Sequence, residues 1–307
     1  MMSPSITYIP GSFAAQFGED ALPKLLKAAG ADLKWNCVPW RDGTALDQIQ
    51  DAGQHSRTVL MEYQPRQPHG LPPIVQLRKA FGCFANLRPA SYIPGIDGRF
   101  QNVDLLIVRE TTEDIYAQLE HESIPHVYES LKVTTRSACE RISRTAFETA
   151  RKLGRKKVTI VHKANIMKKS DGLFLACARK IGEEYPDIET EDCIVDALCM
   201  KLILYPEWFD VLLCGNLFGD IVADLCAGLV GGRSNCPSVN IGPEVSVFTT
   251  GHLPDPEITL QTSLMLSCIS MLNQLGQTEV SERLRTACLH TLKTAPSFTA
   301  LSEALSV

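Results

Sequence analysis

Three aspartates give the first indication of chemistry in this sequence. Asp220 and Asp224 stand four residues apart at the start of a predicted helix, directly after the apolar run at 211–213. Side chains with this spacing share one helix face, where two carboxylates repel each other by roughly 0.2–0.5 kcal/mol. A divalent cation with oxygen ligands would remove that repulsion, and Asp196 is a third candidate ligand. A helix cap beside a solvated aspartate is an alternative that fits the spacing equally well.

A lysine follows the apolar run at 158–161, where a side chain at the carboxyl end of a strand emerges into a crevice. Lys163 could transfer protons if desolvation or a nearby metal lowered its pKa. The alternative is an ordinary surface lysine, which the position alone favours. His162 is predicted to pack or to form hydrogen bonds rather than to bind metal, because no second His or Cys stands at ligand spacing.

Three arginines, Arg78, Arg88 and Arg109, form the third candidate group. Arg109 ends the apolar run at 105–108, so its guanidinium can point into the same crevice. A planar guanidinium binds a carboxylate through two hydrogen bonds, which suits a substrate with several carboxylates. Each arginine alone is better explained as a surface ion pair, so this hypothesis depends on the combination of the arginines with the aspartates.

These residues need elements that bring them together, and the apolar pattern predicts an α/β fold. Short apolar runs alternate with stretches whose apolar residues recur at helical spacing. The predicted strands are 6–9, 59–62, 103–108, 157–161 and 211–213. The predicted helices are 21–29, 137–153, 171–185, 221–229, 260–275 and 279–292.

Composition excludes several classes of protein. The chain has 307 residues, 45% of them hydrophobic, and a formal net charge of -5, which gives no basic field for nucleic acid. No apolar run approaches the length of a membrane span. The eleven cysteines form no C-x-x-C pair, which predicts reduced thiols. We therefore expect a cytoplasmic protein, or an organellar matrix protein after processing, with neither nucleic-acid nor membrane partners.

Longer motifs around the candidate residues resemble the isocitrate and isopropylmalate dehydrogenase family, β-decarboxylating dehydrogenases, and especially its NAD-type isocitrate branch. The resemblance runs with few breaks from about 77 to 248. The motifs are LRKAFG (77–82), FANLRP (84–89), VRETTEDIY (108–116), GRKKVT (154–159), HKANIMK (162–168), NLFGDI (216–221) and DLCAGLVGG (224–232).

The resemblance implies a fold of two α/β lobes with the active site in the cleft between them. A large domain, on the ancestral dinucleotide side, would span 1–98 and 242–307, and a small domain would span 99–241. The small domain would hold the catalytic lysine, the metal-binding aspartates and a dimer clasp at 118–132. The family forms homodimers with shared sites or hetero-oligomers with a homologue, so the neighbouring subunit would supply Lys163 and Asp196.

The resemblance also implies a role for each matching residue. The arginines Arg78, Arg88 and Arg109 would hold substrate carboxylates, and Tyr116 and Lys163 would be the acid/base pair. The Mg or Mn ligands would be Asp196, Asp220 and Asp224. The substrate would be a small di- or tricarboxylate.

Departures from the family concentrate in the expected cofactor pocket. The family turn Gly-Asp-Gly-Ile-Gly-Pro-Glu is GSFAAQF here (11–17), Lys-Gly-Pro is Met61-Glu62-Tyr63, and the adenosine loop shrinks to TTGHLPDPE (249–257). The residues that would bind a dinucleotide are therefore unknown, and NAD binding is left open. Ahead of Arg78, isocitrate-specific members have Ser and Asn, whereas this chain has LPPIVQ (71–76).

These departures favour one hypothesis among three. The favoured function is metal-dependent decarboxylation of an isocitrate-like di- or tricarboxylic acid, redox-free and lyase-type, with an aconitate as an example. The first alternative is NAD-dependent oxidative decarboxylation of isocitrate or a related 2-hydroxy acid. The second is a non-catalytic regulatory subunit of a hetero-oligomeric isocitrate dehydrogenase.

Overall fold

The computed structural model describes residues 3–40, 45–64, 70–250, 262–294 and 297–306. The chain divides into two compact units. Unit 1 comprises Met1–Cys83, Tyr92–Gln101 and Gly231–Val307, and unit 2 comprises Phe84–Ser91 and Asn102–Val230.

The described residues form a regular set of strands and helices. The strands are β1 Ser5–Ile9, β2 Lys34–Cys37, β3 Thr58–Met61, β4 Ala85–Ser91, β5 Asp104–Glu110, β6 Glu120–Ile124, β7 Val127–Ser130, β8 Lys157–His162, β9 Glu189–Ile194, β10 Val211–Cys214, β11 Ser238–Ile241 and β12 Ser246–Thr249. The helices are α1 Ser12–Phe17, α2 Ala21–Ala28, α3 Ala45–Ser56, α4 Pro73–Ala80, α5 Arg136–Lys152, α6 Ser170–Gly182, α7 Val195–Leu204, α8 Asn216–Leu229, α9 Thr262–Gln274, α10 Thr278–Thr294 and α11 Phe298–Ser306.

In unit 1 the strands lie in the order β2-β1-β3-β12-β11. The pairs of β1 with β2, β1 with β3 and β3 with β12 are parallel, and β11 with β12 is antiparallel. Strands β1 and β3 are apolar over nearly their whole length and almost fully buried. Such strands are typical of a parallel sheet covered on both faces.

In unit 2 the order is β4-β5-β10-β8-β9, with β4 antiparallel to β5 and the other pairs parallel. The four parallel strands end on the same edge of this sheet. Arg109 lies at the end of β5, Lys163 and Asp196 follow β8 and β9, and α8 begins just after β10. One edge of the unit 2 sheet therefore carries Arg109, Lys163, Asp196 and the start of α8, as predicted for the crevice beyond the carboxyl ends of α/β strands.

The predicted domain boundaries differ from the two units at 84–91, 99–101 and 231–241. Residues 84–91 lie in unit 2 because β4 pairs with β5 along its whole length. Residues 238–241 lie in unit 1 because β11 pairs with β12. Strand pairing, which the motifs do not reveal, thus decides both positions.

Every strand and helix that the apolar pattern predicts is present. Helix α8 begins at Asn216 rather than near 221, and its N-cap is Gly215. Asp220 is therefore inside the helix, so the interpretation of this residue as a helix cap is wrong. Among the described elements, the pattern misses strands β2, β4, β6, β7, β9, β11 and β12 and helices α1, α3, α4, α7 and α11. Strands β2 and β9, for example, have mostly exposed side chains that leave no apolar run. In the described part of the chain, no helix is long and apolar enough to cross a membrane.

Candidate active site

Arg109, Tyr116 and Asp220 form one contact cluster in unit 2. The Arg109 guanidinium pairs with Asp220 Oδ1, and the Tyr116 hydroxyl donates a hydrogen bond of 2.6 Å to Asp220 Oδ2. The guanidinium carbon of Arg109 also lies 5.1 Å from the centre of the Tyr116 ring. The Asp220 carboxylate thus forms an ion pair with Arg109 and accepts a hydrogen bond from the Tyr116 hydroxyl at the edge of the sheet.

Helix α8 holds this arginine in place. Asn216 Oδ1 accepts hydrogen bonds from Arg109 Nε (3.0 Å) and Nη2 (2.7 Å). Gly219 lets the arginine stem cross the helix, because a Cβ there would stand 2.6 Å from Arg109 Cγ. The guanidinium is therefore buried and oriented before any ligand arrives, as a carboxylate-binding group should be.

The phenol of Tyr116 is held in its protonated form. Partial burial raises its pKa, and the hydrogen bond to Asp220 acts in the same direction. A neutral phenol can donate a proton to a carbon or oxygen of a bound molecule. The short 3₁₀ turn Ile115–Ala117 that carries it lies between two residues with left-handed backbone, Asp114 (φ 76°) and Gln118 (φ 57°).

Asp224 lies one helical turn after Asp220 and faces Arg88, whose Nη1 is 3.4 Å from Asp224 Oδ1. The two aspartates are about equally exposed, at 37% and 36% of the side chain. Oxygen donors on one helix face suit Mg or Mn, so these residues fit the expected metal. The buried Arg88 Nε has no hydrogen-bond partner among the described residues. An orphan donor beside two carboxylates is suited to an anionic ligand.

Lys163 and Asp196 form a second, separate group. Lys163 Nζ donates to Asp196 Oδ1 at 2.6 Å, and this hydrogen bond lowers the pKa of the Asp196 carboxyl. The Asp196 side chain is 68% exposed, whereas Lys163 is 25% exposed. The pair therefore stands at the surface of unit 2 with its carboxylate open to an incoming molecule.

The loop behind Lys163 is fixed by two side chains. Asp171 Oδ2 accepts from the backbone N–H of Lys163 at 2.6 Å. His162 Nδ1 accepts from the backbone N–H of Ala164 at 3.0 Å, and its Nε2 lies 3.0 Å from Asp192. Both ring nitrogens are thus used for hydrogen bonds, which confirms the interpretation of His162 as a hydrogen-bonding residue.

Within the described part of unit 2, the predicted residues are divided between two separate contact groups. Among the described residues, no three His, Cys, Asp or Glu side chains lie close enough together to hold a metal ion. Asp196 contacts Lys163, whereas Asp220 and Asp224 contact arginines. Arg78 belongs to unit 1, where its Nε donates to Asn240 Oδ1 at 2.7 Å.

Glu62 closes the turn where the sequence departs from the family. The carboxylate is fully buried and accepts hydrogen bonds from the Tyr8 hydroxyl and from the backbone N–H groups of Gly11 (2.8 Å), Phe13 (2.9 Å) and Ala14 (3.0 Å). The N–H of Ser12 donates to the carbonyl of Tyr63. All amides at the start of α1 are therefore used within the chain, and at this turn the residues do not fit a dinucleotide phosphate. The third altered segment, 249–257, lies outside the described residues from 251 onwards.

Sequence reasoning missed several supporting residues, above all Asn216, Asp171 and Lys132. Each acts through a contact to a residue distant in sequence, for example Lys132 with Asp114 and Asp171. The available signal was indirect: Asn216 and Asp114 stand inside motifs that carry a predicted site residue.

Comparisons with known proteins agree with the motifs. The sequence model described as "Isocitrate/isopropylmalate dehydrogenase" matches residues 57–302. The chain is 36% identical to "Isocitrate dehydrogenase [NAD] subunit 2, mitochondrial" of Schizosaccharomyces pombe, covering 95% of this chain and 81% of that protein. It is 37% identical to a mitochondrial regulatory subunit of NAD isocitrate dehydrogenase from Dictyostelium discoideum, covering 94% and 84%. The crystal structure of isocitrate dehydrogenase from Methylococcus capsulatus superposes with a TM-score of 0.87 at 35% identity, covering 100% of both chains.

Proposed function

The chain belongs to the isocitrate/isopropylmalate dehydrogenase family, and we propose that it oxidatively decarboxylates a 2-hydroxy acid with a carboxylate on the neighbouring carbon. The observation that carries this proposal is the cluster of Arg109, Asp220 and Tyr116. It brings together a cation that can bind a carboxylate, a carboxylate that can bind a metal and a protonated phenol. The redox-free interpretation favoured by the sequence has no support from the three relatives described above, because they are named as dehydrogenases or their subunits. The NAD-linked alternative fits them better.

The surroundings of each site residue suit the role that we propose for it. Arg88 and Arg109 hold substrate carboxylates, since both guanidinium groups are nearly buried beside the aspartates. Lys163 takes the proton of the 2-hydroxyl when the substrate is oxidised. Tyr116 returns a proton to the carbon from which carbon dioxide departs, because its phenol stays protonated at neutral pH.

Two groups from outside the chain complete the reaction. Mg or Mn, held by Asp220, Asp224 and the Asp196 of a second subunit, would supply a Lewis acid for the oxygen on C2. The oxidation also needs a hydride acceptor, and the names of two relatives include NAD. Because the amides of the β1–α1 turn are bound to Glu62, residues outside that turn would have to hold this cofactor.

The residues ahead of Arg78 support a substrate whose third substituent is less polar than that of isocitrate. Ile74 packs against the core of unit 1, so it offers only alkyl surface. The amide of Gln76 donates to the carbonyl of Leu71 at 2.8 Å. These positions provide no ready donor for a third carboxylate. We therefore propose a 3-alkyl malate as the preferred type of acid.

An apolar surface of unit 2 supports a dimer with shared sites. Solvent-exposed large apolar side chains recur on the hairpin of β6 and β7 and on the segments around α7 and α8. Patches of this kind mark interaction surfaces. The residues are Leu119, Ile124, Val127, Tyr128, Leu131, Met200, Ile203, Leu204, Tyr205, Trp208 and Ile221. We propose a second copy, or a homologue as in hetero-oligomeric relatives, as the partner that joins the two groups of site residues.

Two of the three relatives are named as mitochondrial proteins. We propose an organelle matrix as the compartment, with the cytoplasm as the alternative. Either location keeps the cysteines reduced.

Glu62 favours one further candidate function, that of a regulatory subunit. Because its carboxylate uses the amides of the β1–α1 turn, the chain could bind acid and metal without binding NAD. The relative from Dictyostelium discoideum named as a regulatory subunit covers nearly the whole chain.

A turnover assay separates these functions. The purified chain is incubated with Mn²⁺, NAD or NADP, and isocitrate, 3-isopropylmalate or malate, while NADH and carbon dioxide are both measured. The proposed function predicts equal yields of the two products, loss of both with EDTA and the fastest turnover with 3-isopropylmalate. Tight binding of acid and Mn²⁺ without either product would establish the regulatory candidate instead. Carbon dioxide without NADH would contradict both.

Mixed dimers test the sharing of sites. Lys163→Ala chains and Tyr116→Phe chains are each inactive in the proposed mechanism. Unfolded together and refolded as a 1:1 mixture, they should regain about one quarter of the wild-type activity, because half of the dimers are mixed and each has one intact site. A site built within one chain would regain none.

A further inference from the structure

A buried ammonium group lies between two buried carboxylates in unit 2. Lys132 Nζ is 2.9 Å from Asp114 Oδ2 and 3.3 Å from Asp171 Oδ1. The three side chains are only 17%, 4% and 5% exposed, and the ammonium also lies 5.3 Å from the centre of the Phe218 ring. Two anions this close together and away from solvent depend on the cation between them.

Each carboxylate holds a different part of the candidate site. Asp171 accepts from the backbone N–H of Lys163 at 2.6 Å. Asp114 accepts from the N–H of Ile115 at 2.8 Å, next to Tyr116, and from the N–H of Leu217 at 3.1 Å, in the first turn of α8. The Lys132 ammonium therefore connects the Lys163 loop, the Tyr116 turn and helix α8, which carries the candidate metal ligands Asp220 and Asp224.

The backbone around Tyr116 needs such support. Asp114 adopts φ 76°, a conformation that an L-residue with a Cβ rarely takes. Its backbone is also bridged to Val133, the neighbour of Lys132, through the N–H of Asp114 and the carbonyl of Val133 at 2.9 Å. The strained residue is thus held at its backbone by Val133 and at its side chain by Lys132.

We propose that Lys132 is a positioning residue. It keeps the Tyr116 turn and the Lys163 loop in the positions that proton transfer requires. The proposal rests on the proposed function, in which these two residues transfer the protons. With two subunits sharing their sites, the same ammonium connects the Tyr116 half of one site to the Lys163 half of the other. Lys132 itself does not touch the substrate.

The first test compares Lys132→Ala with Lys157→Ala. Lys157 is a matched control, because it is similarly covered (20% exposed) and pairs with Glu191 at 3.3 Å at the opposite end of β8. We expect Lys132→Ala to lower kcat about 100-fold, the order of loss caused by a shift of 1 Å, while KM stays within about threefold. Lys157→Ala should keep both constants within about threefold of wild type, since it holds no site residue.

Chemical rescue separates positioning from general damage. Lys132 lines a cavity with Asp114, Asp171 and Phe218, so its removal leaves space for an alkylammonium ion. Propylammonium matches the atoms missing from the alanine variant. It should raise the kcat of Lys132→Ala by at least about tenfold. Propanol, which has the same number of heavy atoms but no charge, should restore nothing. Equal rescue by both, or by neither, would overturn the proposal.

Amide hydrogen exchange tests the same contacts without turnover. In Lys132→Ala the N–H groups of Ile115, Lys163 and Leu217 should exchange about tenfold faster. Asp171→Asn, a milder change, should accelerate only the Lys163 amide, because Asp114 still holds the other two. Uniform acceleration of all three in Asp171→Asn, or none in either variant, would overturn the proposal. If the wild type shows no turnover, the proposed function fails and exchange alone decides the role of Lys132.

Discussion

Glu62 gives the sharpest prediction about stability. Glu62→Ala removes the acceptor of three backbone N–H groups and of the Tyr8 hydroxyl, all in a buried place. A buried donor left without a partner costs about 1–3 kcal/mol, and water entering the space left by the side chain satisfies some of the four. We therefore expect the free energy of unfolding to fall by about 4 kcal/mol.

Glu62→Gln separates the hydrogen bonds from the charge. The amide oxygen can accept from Gly11, Phe13 and Ala14, while the amide nitrogen donates to the Tyr8 oxygen. We expect a loss of only about 1–2 kcal/mol for this variant. Urea unfolding followed by circular dichroism measures both changes, with Glu303→Ala, an exposed glutamate on α11, as the control.

The pH dependence of this difference follows from the direction of the pKa shift. Burial raises the pKa of Glu62 above its ordinary value, although the hydrogen bonds act against it. The folded chain therefore binds the proton more tightly than the unfolded chain, and this stabilisation is lost as pH rises through the raised pKa. The advantage of wild type over Glu62→Gln should shrink as the pH rises above the ordinary titration range of a glutamate. An advantage that grows with pH, or a Glu62→Ala variant as stable as Glu303→Ala, would refute this assignment.

Three other predictions concern the site and the assembly. Gly219→Ala should weaken acid binding and destabilise the fold by about 1–3 kcal/mol, because the new methyl group meets the arginine stem. Gly228→Ala on the same helix, where a Cβ meets nothing within 4 Å, should be neutral or stabilising, and calorimetry and urea unfolding compare the two. Tyr116→Phe should lower kcat about 100-fold or more at nearly unchanged KM, as measured by steady-state kinetics, and normal turnover would exclude the phenol as the acid. Ile203→Glu should dissociate the dimer in sedimentation velocity, whereas Leu153→Glu, at a residue that is also exposed and lies beyond the end of α5, should not.

The sequence predicted those features that depend on local pattern. Apolar runs marked the central strands, and Arg109 and Lys163 were correctly placed at strand ends because parallel strands finish on one edge. The spacing of Asp220 and Asp224 correctly placed them on one helix face.

Features that depend on tertiary contacts could not be predicted. The sequence showed Met61-Glu62-Tyr63 only as a departure in the expected cofactor pocket, whereas the Glu62 carboxylate accepts hydrogen bonds from the start of α1. Lys132 looked like the last residue of a surface clasp, because nothing in its neighbourhood reveals that Asp114 and Asp171 enclose its ammonium. Boundaries at 84–91 likewise depended on strand pairing that leaves no signal in the motifs.

The hairpin of β6 and β7 links assembly to protein turnover in the cell. All of its residues are exposed, and a two-stranded hairpin alone is marginally stable in water. An unassembled chain therefore presents residues 118–131 as an accessible cleavage site, while a partner that covers them removes that site. Its half-life should consequently rise with its own concentration, so that chains produced in excess of their partner are degraded first.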